Sequence, residues 1–154
     1  YGGNPFAGTA WEDKGAALGL EWAMSVSAPV IQVRRLEAGQ SVSYGRLFTA
    51  EQPTAVAVVG IGYATGFARA LSTRAALCIN GRRVSQVGRV CMGMIMADVT
   101  DLPQVREGDT AWLVGGPTQP GQQPVTVQDL ADTLGTISYE VLCLLGATNP
   151  RLYV

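Results

Sequence analysis

The chain has 154 residues, 47% hydrophobic and 15% charged, with eleven basic and twelve acidic residues giving a formal net charge of -1. That length holds one domain with its own core, because a chain of this size buries about two-thirds of its unfolded surface, and it leaves no room for a second. The near-neutral charge, without a basic block or an aromatic-basic stripe, excludes nucleic acid as a partner. No run of ~18 apolar residues exists to span a membrane, and the high apolar share predicts that part of the surface faces another protein.

Residues 1–24 mix Gly, Pro and Ala with Trp11 and Trp22 and show neither strand nor helix period, which reads as a linker packing on something else. The opening Tyr1-Gly2-Gly3-Asn4-Pro5 carries no signal peptide and looks like an interior segment of a longer protein. From Ser25 onward short β-type runs follow at a spacing of about ten residues. They are Val30-Ile31-Gln32-Val33, Val42-Ser43-Tyr44, Ala55 to Val59, and Leu77-Cys78-Ile79. Asn80-Gly81, ahead of Arg83-Val84, predicts a tight type I′ hairpin, since both central residues need positive φ. Met94 to Val99 and Thr110 to Val114 read as further strands around a Glu107-Gly108-Asp109 turn.

Thr126 with Asp129 three residues on is a capping-box start, Val127, Leu130, Ala131 and Leu134 share a helical face, and Gly135 terminates it. A second helix is expected from about Ser138 to Leu145, with Tyr139, Leu142 and Cys143 on one face, before Pro150. The fold class is therefore mainly β: an antiparallel barrel or sandwich of roughly six to nine strands with one or two short C-terminal helices. The three cysteines, Cys78, Cys91 and Cys143, are widely spaced in apolar stretches, so buried, reduced thiols of a cytoplasmic protein are expected.

Much catalytic chemistry is excluded by residue type. The chain has no histidine, which removes a Ser-His-Asp triad and a His-based zinc site. Its one lysine, Lys14, lies in a solvated linker context unsuited to a Schiff base, and Gly60-Ile61-Gly62 leads into Tyr63 and lacks the third glycine of a phosphate-cradling loop. What stands out are Tyr44, Tyr63 and Tyr139, each beside a glycine or a small polar residue. A tyrosine in a strand is by default half-buried packing with its hydroxyl reaching water.

Their setting argues for more. In order along the chain come Ser43-Tyr44-Gly45-Arg46, Gly62-Tyr63-Ala64-Thr65-Gly66 with Arg69, Ile79-Asn80-Gly81, Gly88-Arg89-Val90-Cys91-Met92, Gly108-Asp109, Ile137-Ser138-Tyr139-Glu140 and Pro150-Arg151-Leu152-Tyr153. Taken together over essentially the whole chain, this series resembles the carboxy-terminal domain of alanine racemase, a pyridoxal-phosphate enzyme of fold type III. The resemblance implies that residues 25–154 form that β-domain and that 1–24 lead from a TIM-type N-terminal barrel whose lysine holds the cofactor covalently. It implies a cytoplasmic homodimer in which each domain completes the partner subunit's site, acting on a small amino acid to make D-alanine for peptidoglycan.

Racemization needs a base on each face of the substrate α-carbon. Tyr44 resembles the family's second base, Tyr139 the tyrosine that hydrogen-bonds the cofactor phosphate, Tyr63 one that lines the substrate entry, and Met92 the residue whose backbone N–H binds the substrate carboxylate. A phenol titrates near 10, so a tyrosine base needs cationic or hydrogen-bonding help. In the family that help comes from the barrel; Arg46, two residues beyond Tyr44 on the same strand face, could add to it. The 154 residues alone are expected to be inactive.

The chain also departs from the family pattern. Gly93 stands where the family usually has an aspartate after Cys-Met, Thr65 replaces the aspartate of Gly-Tyr-Ala-Asp-Gly, and Ala147-Thr148-Asn149-Pro150-Arg151 replaces Arg-Val-Pro-Arg. Two rivals follow: a serine or broad-specificity racemase domain, and a non-catalytic oligomerization or binding module that kept the barrel and lost the chemistry. The related β-domain of fold-type III decarboxylases lacks the Ser-Tyr-Gly and Gly-Arg-Val-Cys-Met signatures. Losing a carboxylate should widen the channel and make it less acidic. Gly93→Asp in the full-length protein is therefore expected to raise the preference for alanine over serine, and an unchanged ratio of kcat/KM for the two substrates would refute this.

Overall fold

A computed structural model describes residues 23–153, so the expected linker, apart from its last two residues, and Trp11, Trp22 and Lys14 lie outside the described residues. The longest strand, β1 (Val26–Leu36), is the seam of the architecture. Its first residues, Val26 to Pro29, pair with β8 (Thr110–Val114), and from Val30 onward it pairs with β4 (Thr54–Val59). Pro29, which has no N–H to give a ladder, stands at the change of partner, and a register shift between Val30 and Gln32 bends the strand there. From β4 the pairing runs through β7 (Ile95–Asp98), β6 (Arg82–Val87) and β5 (Ala76–Ile79) to β8, closing a six-stranded antiparallel barrel. β5 and β6 meet through the expected two-residue turn, with Asn80 at φ 51° and Gly81 at φ 76°.

Outside the barrel lies a two-stranded ribbon, β2 (Ser41–Val42) and β3 (Phe48–Thr49). The strand expected over Val42-Ser43-Tyr44 stops at Val42, because Ser43, Gly45 and Arg46 all take positive φ, which no strand accommodates. Tyr44–Arg46 forms a single 3-10 turn at the ribbon tip, so Arg46 does not share a strand face with Tyr44.

Two helices follow the strands. α1 (Val127–Leu134) has the expected capping box: Asp129 N–H donates to Thr126 Oγ1 at 3.0 Å, Thr126 N–H donates to Asp129 Oδ2 at 2.8 Å, and Gly135 closes the helix at φ 71°. α2 (Ser138–Thr148) runs three residues past the expected Leu145. It ends where Pro150 forces Asn149 into extended backbone, and the Asn149 amide donates to the Leu145 carbonyl at 2.7 Å. The buried row of α2 is Ser138, Val141, Leu142 and Leu145, spaced to pack on α1. Tyr139 and Cys143 fall outside it and are exposed, so of the three cysteines only Cys78 and Cys91 are buried thiols. Neither helix is long and apolar enough to cross a membrane.

Side chains from both elements fill the barrel, with Val59, Leu77, Ile95 and Leu113 from the strands meeting Leu130 and Leu145 from the helices in one cluster. A smaller cluster of Leu36, Ala50, Val56, Val87, Cys91 and Met96 lies beneath the ribbon, against Val42 and Phe48. Between the two sits Gln86, 1% exposed and fully engaged: its Oε1 accepts the Thr73 N–H at 2.6 Å, and its Nε2 donates to the Val87 and Gly88 carbonyls at 2.8 and 3.0 Å. Gln86→Met keeps the shape and removes every one of these bonds, stranding a buried donor and acceptors. It is expected to cost about 3 kcal/mol, read as a lower urea midpoint with an unchanged m-value. A size-conserving Leu77→Met change should cost under about 1.5 kcal/mol.

Candidate functional site

Arg89–Met92 leaves β6 without a strand partner of its own, so its backbone polar groups need other acceptors and donors. Arg89 N–H donates to Ser43 Oγ at 2.5 Å, Val90 N–H to Ser72 Oγ at 3.0 Å, and Cys91 N–H to the Met94 carbonyl at 3.0 Å. The Cys91 and Met92 carbonyls accept from the Tyr63 and Ala64 N–H groups at 3.0 and 2.9 Å. This segment thus binds the ribbon tip on one side and the 3-10 turn Tyr63–Thr65 on the other. Gly62 allows that approach, since a Cβ there would lie 2.3 Å from the Cys91 carbonyl oxygen.

Tyr44 is the most exposed of the three sequence-predicted tyrosines, at 73%. Its backbone is held from the Arg89 side: the Arg89 Nε–H donates to the Tyr44 carbonyl at 3.3 Å, and the guanidinium lies 3.7 Å from where a Gly45 Cβ would stand. The cation beside Tyr44 is therefore Arg89, where the sequence suggested Arg46. Met92 points its side chain to solvent, and among the described residues its N–H has no acceptor. Tyr63 is exposed at the start of its turn, which Thr65 Oγ1 braces by accepting from the Gly62 N–H at 3.2 Å and donating to the Gly62 carbonyl at 3.1 Å.

One continuous hydrogen-bond network thus links the backbones of Tyr44 and Tyr63 to the segment that carries Met92. Tyr139 stands apart on the first turn of α2, 44% exposed and, among the described residues, joined to the others through the helix. The helix abuts the Tyr63 turn at Leu144, whose carbonyl oxygen would lie 2.0 Å from a Gly66 Cβ, and at Asn149, whose amide donates to the Thr65 carbonyl at 2.9 Å. Tyr139 is five residues earlier, about 7.5 Å along the axis. None of the tyrosine hydroxyls has a hydrogen-bond partner among the described residues, and Met94 and Leu47 add further exposed apolar side chains at the loop tips.

The substituted positions have clear local roles. Gly93 has open space around a would-be Cβ and no positive φ, so a larger side chain fits there. Thr65 supplies a brace at its turn where an acid was expected. Sequence reasoning missed Ser43, Ser72 and Gln86, whose side chains serve distant backbone groups, a role with no local pattern. A cleft of about 480 Å³ between β5, β6 and α1, lined by Arg74, Arg83, Asp129 and Thr133, contains none of the four candidate residues. No cluster of metal-ligating side chains occurs among the described residues.

The sequence pattern of the family described as alanine racemase, C-terminal domain, matches residues 23–153. An alanine racemase of Nitratidesulfovibrio vulgaris is 53% identical over 153 residues, covering 99% of this chain and 39% of that protein. The crystal structure of a biosynthetic alanine racemase from Pseudomonas aeruginosa superposes with a TM-score of 0.84 at 36% identity, over 100% of this chain and 40% of that one. An alanine racemase from Bartonella henselae, solved with covalently bound pyridoxal phosphate, gives a TM-score of 0.78 at 33% identity, over 88% of this chain and 36% of that one. The chain thus spans about two-fifths of the length of these relatives. Its barrel, its two closing helices and its ordered motifs are those of one family, and the chain belongs to the alanine racemase C-terminal domain family.

Proposed function

We propose that this chain is the C-terminal domain of a pyridoxal-phosphate amino-acid racemase acting on alanine, and that Tyr44 is one of its two bases. Residues 25–154 form the β-domain on this reading, and 1–24 connect it to a barrel domain bearing the cofactor lysine. The observation that carries the proposal is the Arg89–Met92 segment. It holds the backbone of the exposed Tyr44 at one end and carries at the other the Met92 N–H, which has no acceptor among the described residues. Such a surface is half of a site: it has a proton acceptor and a hydrogen-bond donor for an anion, and it has no amine of its own among the described residues.

The cofactor, when bound, stores the electron pair left on the substrate as its α-proton departs. This chain's residues do the remainder. The Tyr44 side chain takes the α-proton from one face as the phenolate and returns it as the hydroxyl, and the Arg89 guanidinium holds the Tyr44 backbone through its carbonyl. The Met92 N–H takes the substrate carboxylate. A backbone donor is indifferent to the side chain, which Met92 turns to solvent.

Tyr139 fits a phosphate contact: its hydroxyl has no partner among the described residues, and the N-cap of α2, Ile137, gives no side-chain cap, leaving N–H groups and the positive end of the helix dipole nearby. Tyr63 borders the path to Met92. The second base, the amine and a homodimeric partner belong to polypeptide beyond these residues, in a cytoplasmic enzyme supplying D-alanine to peptidoglycan.

The open space at Gly93 favours a second reading in which serine or a larger amino acid is also accepted. A non-catalytic module is disfavoured by the intact Tyr44, Met92 and Tyr139. Tyr44→Phe in the full-length protein is expected to abolish racemization in both directions, as an equilibrium constant of one between enantiomers requires, while cofactor absorbance is kept. Racemization at the parent rate would refute the assignment of Tyr44.

A further inference from the structure

Ser43 occupies φ 64°, ψ 172°, a backbone region that glycine alone adopts without strain. A serine there has conformational cost with no benefit unless its hydroxyl is used. It is used: Oγ is the acceptor of the Arg89 N–H at 2.5 Å. The room it occupies is left by Gly88, where a Cβ would come within 2.7 Å of that oxygen, at a φ of +70°. Arg89 therefore grips two successive residues of the ribbon tip, Ser43 through its backbone N–H and Tyr44 through its side-chain Nε–H. Two attachment points on either side of the Ser43–Tyr44 peptide fix the direction in which Tyr44 leaves the backbone. The same segment continues to Met92, so the bracket also ties the Tyr44 backbone to the stretch that carries the Met92 N–H.

We propose that Ser43 is a positioning residue for Tyr44, with its hydroxyl holding the phenol in line with the face of the substrate it serves. The proposal rests on Tyr44 being a base. Its chemistry differs from that of a fold-stabilising contact in one measurable way: releasing the bracket should impair proton transfer on Tyr44's face of the substrate and spare the opposite face.

The test uses the full-length protein loaded with pyridoxal phosphate, carrying Ser43→Gly or Ser43→Ala, with each enantiomer of α-deuterated alanine. Ser43→Gly relieves the backbone and should melt at or above the parent temperature, while the Arg89 amide exchanges with solvent faster, a change visible without cofactor as well. Deuterium washout from one enantiomer should fall about 10- to 100-fold, the usual effect of misplacing a reacting group, and washout from the other should stay within about twofold. Ser43→Ala should show the same asymmetry at a lower melting temperature, because it keeps the strained backbone and loses the bond. Equal loss for both enantiomers, or loss for neither, overturns the proposal. Tyr44→Phe separates the two ideas: if it loses washout from one enantiomer and Ser43→Gly loses none, the Ser43 role alone fails. If Tyr44→Phe keeps both, the base assignment fails and the Ser43 role fails with it.

Discussion

A stretch of backbone that leaves a barrel strand and joins no other must satisfy its polar groups by other means, and in this protein Arg89–Met92 does so by taking bonds from three separate parts of the chain. Ser43 and Ser72 receive its first two N–H groups, and the Tyr63 turn donates to its last two carbonyls. That exchange registers the ribbon tip, the Tyr63 turn and the Ser72 loop against one another. Gln86 extends the constraint inward, since its amide ties the Thr73 backbone to the Gly88 carbonyl just before the segment begins. The barrel gives these loops a rigid base, and the loops are aligned by one another.

Burial follows the same division. Beneath the ribbon, Val87, Cys91 and Met96 are buried in a small apolar cluster, while the turn between Cys91 and Ile95 lifts Met92 and Met94 into solvent, where Tyr44 and Leu47 are also exposed. The buried residues anchor the segment, and its turn offers apolar groups to the outside. Hydrophobic side chains clustered at such tips lose water favourably only when something else covers them. That fits the high apolar fraction of the composition and the reading of this domain as half of a larger site.

Regular elements were legible in the sequence because their signals are local. Asn80-Gly81 must be a hairpin turn, and Thr126, Asp129 and Gly135 must bound a helix, whatever the rest of the chain does. The ordered tyrosine and glycine motifs pointed to the family for the same reason. What could not be read were conformations and contacts imposed from a distance. Ser43 looks like the end of a strand, yet it takes positive φ with its Oγ accepting the Arg89 N–H, and Gly45 and Arg46 take positive φ after it, which ends the shared strand face. Cys143 sits among apolar neighbours, and only the packing of α2 through Val141, Leu142 and Leu145 decides that its thiol faces out.

The seam at β1, where one strand serves β8 and then β4, leaves the barrel with no free strand edge. A sheet with an open edge can recruit a peptide or a second sheet by adding a strand, and such pairing reads backbone alone, with little regard for sequence. That route is closed to this barrel. A partner that meets the barrel itself must be met by side chains, and exposed ones at the loop ends such as Tyr44, Met92 and Met94 can change one position at a time without disturbing the sheet.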